Sequence, residues 1–184
     1  MDLFNDLNQL LAMEDISKNS VRDILKVYAK TISVYDQMMA SIALKEENFY
    51  IQKQYADKFD AVYIKFFILR ITDIKSDRKD YVGFIDKFKL DEAIDLFNNQ
   101  YDEDVNSRKP GDKFPLIYAL ISFYTTFILD EPIHPVGTPF PGNLYVIEKD
   151  GKYLCPVKEA QQDSPNAVCK MCVAENLEHK KTSI

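Results

Sequence analysis

The residues most suited to chemistry in this chain are its three cysteines, Cys155, Cys169 and Cys172, which fall within eighteen positions in the pattern Cys-x13-Cys-x2-Cys. An odd number of cysteines argues against a disulfide framework. The opening Met-Asp-Leu-Phe-Asn-Asp lacks the basic and apolar regions of a secretion signal, so a reducing, cytoplasmic location is expected. Metal ligation is the natural chemistry for clustered thiols in that setting. A structural zinc takes four ligands at tetrahedral angles, and three thiolates with one neutral imidazole leave a formal charge of about −1. His134 is the candidate fourth ligand. It lies between Pro132 and Pro135, where restricted backbone freedom lowers the entropy lost in aiming a side chain. His179, in a polar tail, ranks below it. Glu159, Asp163, Glu175 or a water could close the shell instead. The plain alternative makes Cys169 and Cys172 part of an apolar helix face with Val168 and Val173, and has His134 bonding a loop carbonyl.

Other chemistries find little support. No Gly-x-Gly-x-x-Gly and no Gly-x4-Gly-Lys-Ser/Thr is present, so no phosphate-cradling loop is expected. Glu131-x-x-His134 spells a di-iron motif, but Pro132 breaks the helix it requires and no second copy exists. A cysteine nucleophile lacks a visible oxyanion hole and orienting acid. A redox dithiol would need its first cysteine at a helix start.

The elements that must position these residues follow from the punctuation of the chain. All eight prolines lie at or beyond position 110, and only Gly83 among the glycines precedes 111, so the first hundred residues contain few helix breakers. Val21, Ile24, Leu25, Tyr28, Ile32, Tyr35, Met39 and Ile42 recur at helical spacing, predicting one amphipathic helix with Ser20 as N-cap. Ile51, Tyr55, Phe59, Val62, Phe66 and Leu69 repeat the pattern, widening to Tyr63, Phe67, Ile71 and Ile74. Shorter helices are expected at about 3–13, 78–88 and 90–101, with an exposed loop at 102–113. Residues 114–129 carry no charge; at sixteen residues they fall short of the roughly 20 needed to span a bilayer, and predict a helix buried in the centre of a bundle.

Beyond position 130 the character changes. The stretch EPIHPVGTPFPG, 131–142, can be neither helix nor central strand and reads as a stiff strap. Leu144-Tyr145-Val146-Ile147, the Asp150-Gly151 turn and Tyr153-Leu154-Cys155 predict a hairpin. Ser164-Pro165 suits the start of a last helix over 166–177, which would set Cys169 and Cys172 on one face. The expected fold is therefore mainly α: a helical bundle over 1–130, with a small C-terminal lobe of strap, β-hairpin and helix over 131–184 that holds a metal site and packs on the bundle as one domain.

Composition limits the partners. With 184 residues, 46% hydrophobic content, a net charge of −6 and a pI near 5.0, the chain can bury a real core but lacks the positive field of a nucleic-acid binder. No membrane or nucleic-acid partner is expected; a protein partner is open, as is the oligomeric state.

The segments His134-Pro-Val-Gly-Thr-Pro-Phe-Pro-Gly142, Tyr153-Leu-Cys-Pro-Val-Lys-Glu159 and Pro165-Asn-Ala-Val-Cys-Lys-Met-Cys-Val-Ala-Glu175 together resemble an uncharacterised family of small archaeal proteins, chiefly from methane-producing archaea. The resemblance is strongest over 134–175. It implies a shared C-terminal site and no particular activity. The strictly anaerobic setting it implies raises a [4Fe-4S] cluster on the same residues as the alternative to zinc. A zinc-stapled binding or regulatory module, and a redox protein or metalloenzyme with an open metal position, are the two functional expectations.

Overall fold

A computed structural model describes residues 2–47, 57–107, 111–161, 164 and 167–177. Ile51, Tyr55, Pro110, Asp163, Pro165 and His179 lie outside the described residues. Helix α1 (Leu3–Leu10) opens on Asp2, whose carboxylate accepts from the N–H of Phe4 and Asn5, and it buries Leu3, Phe4 and Leu7. Strand β1 (Ile16–Ser17) leads into α2 (Lys18–Ala29), capped by Ser17 and not by Ser20.

The expected single helix over 21–42 is two. The second, α3 (Val34–Glu47), begins at a reciprocal cap: the Ser33 N–H donates to the Asp36 carboxylate at 2.7 Å and the Asp36 N–H to the Ser33 hydroxyl at 3.1 Å. This Ser-x-x-Asp pairing satisfies backbone donors that a continuous helix would have used. Lys75 and Lys113 accordingly donate to the freed carbonyls of Ile32 and Thr31. The break also rotates the stripe. Gln37, Ala40 and Leu44 are buried, while Tyr35, Met39 and Ile42 face outward.

Helix α4 contains a π turn, Asp60–Ile64, that continues into Lys65–Ser76. A π turn adds a residue to the ring of each hydrogen bond and offsets the apolar stripe. Phe59, Tyr63, Phe67, Ile71 and Ile74 form the buried face, and Leu69 is exposed.

The helix expected over 78–88 does not form: residues 78–86 are not helical, and Lys87 and Phe88 already belong to the next helix. Asn19 of α2 holds this stretch open, its carboxamide accepting from the N–H of Tyr81 at 3.0 Å and donating to its carbonyl at 3.3 Å. After Gly83, at φ 107, strand β2 (Phe84–Ile85) pairs antiparallel with β1. Asp86 then caps α5 (Lys87–Ser107) through the N–H groups of Phe88 and Lys89. That helix is longer at both ends than expected, because its polar continuation meets no breaker before Pro110.

Helix α6 (Phe114–Phe123) runs on through a second π turn, Tyr124–Ile128, and is almost wholly buried. Helices α2, α3, α4 and α5 all pack against it. Among the described residues no helix is long and apolar enough to cross a membrane.

In the C-terminal part, β3 (Pro139–Phe140) pairs with β4 (Leu144–Tyr145), and β5 (Ile147–Lys149) with β6 (Lys152–Cys155) across Asp150-Gly151. Both turn residues have positive φ, 54 and 74, as a two-residue hairpin requires. After the single turn α7 (Lys158–Gln161), the expected last helix is absent from the described residues 167–177. Only one 3-10 turn, Val168–Lys170, is present, followed by β7 (Glu175–Asn176), which joins β6 in parallel. Ladder bonds to Leu154 and Cys155 replace the helical ones. The mainly helical fold is thus present, with a small C-terminal strand region that contains the expected hairpin and has strand β7 in place of the last helix.

One polar cluster clamps the bundle. Asp77, buried behind α4, accepts from Tyr124 at 2.7 Å, Tyr81 at 3.0 Å and the N–H of Lys79 at 2.9 Å. Burial alone would push this carboxyl up, but these donors and nearby Arg22 outweigh it and hold it below its ordinary value. Its native form therefore binds fewer protons than the unfolded chain near pH 4, so its contribution is complete at neutral pH and is lost as pH falls through the folded value. Asp77→Asn should cost about 1–3 kcal/mol in urea unfolding at pH 7 and less below pH 4; an equal loss at both pH values would contradict this role.

Candidate metal centre

The strap reaches the site from the end of α6. Arg70 of α4 pairs with Glu131 at 2.6 Å, its guanidinium 4.4 Å from the Phe66 ring centre, and Lys18 pairs with Asp130. Beyond His134, the hydroxyl and N–H of Thr138 both donate to the Pro135 carbonyl, turning the chain at Val136-Gly137. The N–H of Gly137 then donates to the carbonyl of Val146 at 2.8 Å, and that of Val146 to Thr138 at 3.1 Å. The prolines and these bonds fix the backbone on both sides of the histidine.

His134 stands among aromatic rings: Tyr63 at 4.7 Å, Phe140 at 5.6 Å and Phe59 at 6.5 Å between centres. Among the described residues neither ring nitrogen has a hydrogen-bond partner, so the loop-carbonyl role is not taken up. Burial pushes the imidazole down to about 4, leaving it neutral at physiological pH with an available lone pair.

Cys155 ends β6 and is buried, and its carbonyl accepts from the N–H of Leu177. The backbone N–H groups of Val157 and Lys158 act on its sulfur. Cys169 sits in the 3-10 turn and Cys172 just past it, both half-buried. The expected pairing of these two on one helix face is therefore corrected: a tight turn and the β6–β7 ladder bring them to Cys155. Burial raises the thiols of Cys155 and Cys169; Cys172 acts on both in the same direction and Lys158 in the opposite one. Burial and the neighbouring sulfur thus oppose ionisation of Cys155 and Cys169, and a nearby cation would favour it.

His134, Cys155, Cys169 and Cys172 all line one small cavity with Pro132, Ile133, Val146 and Ala174. Its volume is about 10 Å³, room for roughly one water-sized atom. Among the described residues, however, no three His, Cys, Asp or Glu side chains converge closely enough to hold a metal ion as they stand. Among the described residues no carboxylate lines the cavity; Glu159 and Glu175 are exposed, and Glu175 pairs with Lys152.

Two features escaped sequence reasoning. Lys158 also lines the cavity, its ammonium donating to the carbonyls of Cys172 at 2.7 Å and Ala174 at 2.5 Å; a lone lysine between two exposed-looking segments carries no signal of this. A groove of about 970 Å³ between α5, the end of α6 and residues 170–176 shares Lys158, Cys172 and Ala174 with the small cavity.

The depressed histidine sets a pH dependence for metal-free protein. The unfolded imidazole takes a proton near 6.5 and the native one near 4, so native stability falls as pH drops across that window. The urea midpoint of chelator-treated protein should decline from pH 7 to 4.5, and His134→Phe should flatten that decline; identical slopes would contradict it.

Comparison with known proteins places this arrangement in a family. Residues 17–177 match the family model described as an uncharacterised protein conserved in archaea, DUF2115. A UPF0305 protein of Methanothermobacter thermautotrophicus is 35% identical over 153 residues, covering 83% of this chain and 92% of the relative. A second from the same organism is 34% identical, covering 82% and 90%. A UPF0305 protein of Methanocaldococcus jannaschii is 28% identical over 162 residues, covering 85% and 94%. No solved structure matches the chain significantly. The chain, with its strap, cysteine turn and buried central helix all inside the matched region, belongs to the uncharacterised archaeal DUF2115 family.

Proposed function

We propose that this protein is a cytoplasmic metal-binding module in which Cys155, Cys169 and Cys172, as thiolates, and His134 hold one zinc ion that staples the C-terminal part to the helical bundle. The observation that carries the reading is that all four side chains, from three separate segments, line one cavity of about 10 Å³. Three thiolates with one neutral imidazole are a common ligand set of structural zinc, which favours zinc over the iron-sulfur alternative. Side-chain rotation by the half-buried Cys169 and Cys172 would have to bring the sulfurs into bonding distance. The main core includes Ile133 and Val168, a smaller one is formed by Val146, Cys155 and Ala174, and Cys172 packs against both.

Metal bound there would act on folding directly. Structural zinc sites bind with about 10–16 kcal/mol in peptides, comparable to the roughly 5–15 kcal/mol that holds a whole domain together. A module so stapled would act through its surface, on a protein partner. The neighbouring groove supports a second reading, a metalloenzyme whose fourth position is left open by His134 and faces Cys172 and Lys158.

Protein purified anaerobically should carry one zinc per chain and be colourless, and Cys155→Ala should lose the metal. Removing zinc should lower the melting temperature while leaving helical circular dichroism largely intact. Iron with sulfide and a brown colour would replace zinc by the cluster. Absence of metal from wild type, or unchanged metal in Cys155→Ala, Cys169→Ala and Cys172→Ala, would overturn the site.

A further inference from the structure

Lys158 is the one cationic side chain that lines the cysteine cavity among the described residues. Its ammonium spans the carbonyls of Cys172 and Ala174, two positions apart on either side of Val173. Those two bonds tie the start of α7, three residues past Cys155, to the segment that carries Cys172 into β7. Together with the β6–β7 pairing, these bonds hold 172–174 against the strand that ends at Cys155.

Charge gives the same side chain a second role. Three thiolates, one dication and a neutral imidazole sum to a net −1, and a net charge in a cavity walled by Ile133, Val146 and Val168 is costly. One ammonium at the wall makes the assembly neutral. Building on the proposed metal site, we infer that Lys158 is its positioning residue: it fixes the cysteine loop for ligation and supplies the charge that balances the anionic centre.

The test uses cobalt(II) as the probe on the full chain, stripped of metal, with chelator competition for affinity and the thiolate-to-cobalt charge-transfer band for electronics. A nearby ammonium stabilises sulfur lone pairs and so raises the energy of that band; loss of packing alone does not move it. Lys158→Met should weaken binding about 10- to 100-fold, the usual range for an outer partner of a metal ligand, and shift the band to lower energy. Lys158→Gln keeps a donor for the carbonyls without the charge; it should show the same band shift with a smaller loss of affinity, and it serves if Lys158→Met does not fold. Binding equal to wild type in either variant overturns the role of Lys158 while the metal site stands. Weakened binding with an unmoved band overturns it too. A wild type that shows no thiolate-to-cobalt band overturns the metal site, and this inference with it.

Discussion

Everything in this molecule is arranged around a helix that has no side fit for water. From Phe114 to Ile128 nearly every side chain is buried, so α2, α3, α4 and α5 must surround it. At about 25 cal/mol per Å² of apolar surface, burying each large side chain contributes about 1.5–3 kcal/mol, which no surface ion pair here can rival. Asp77 adds direction to that unspecific force. By holding Tyr124 and Tyr81 it fixes the rotation of the central helix against the end of α4 and the stretch opened by Asn19.

The central helix also decides where the strap begins. It delivers the chain at Asp130 and Glu131, anchored by Lys18 and Arg70, and the prolines that follow carry His134 back over Tyr63 and Phe59 of α4. The cysteine turn is brought to the same cavity by the β6–β7 ladder. The candidate centre thus lies at the seam between a large core that is stable by burial and a small one made of Val146, Cys155 and Ala174. So small a cluster has little apolar area of its own, and a metal at the seam would supply what it lacks.

Periodicity made the bundle legible because long apolar stripes leave few ways to be buried. It failed where side chains compete with the backbone. The cap formed by Ser33 and Asp36 split one stripe into two helices, Asn19 unwound 78–88, and the strand pairing of Glu175–Asn176 displaced a helix that Ser164 and Pro165 had suggested. Each is a local bond made by a residue distant in the chain or neutral in propensity. Residue type and clustering singled out His134, Cys155, Cys169 and Cys172, which do line one cavity. The aromatic setting of His134 and the placement of Lys158 depend on tertiary packing, and no spacing announces them.

The proposed centre is tested most directly by the atoms that surround its ion. X-ray absorption at the zinc edge of the purified protein should give three sulfur neighbours at about 2.3 Å and one nitrogen at about 2.0–2.1 Å. A shell of oxygen and nitrogen alone, or fewer than three sulfurs, would contradict it.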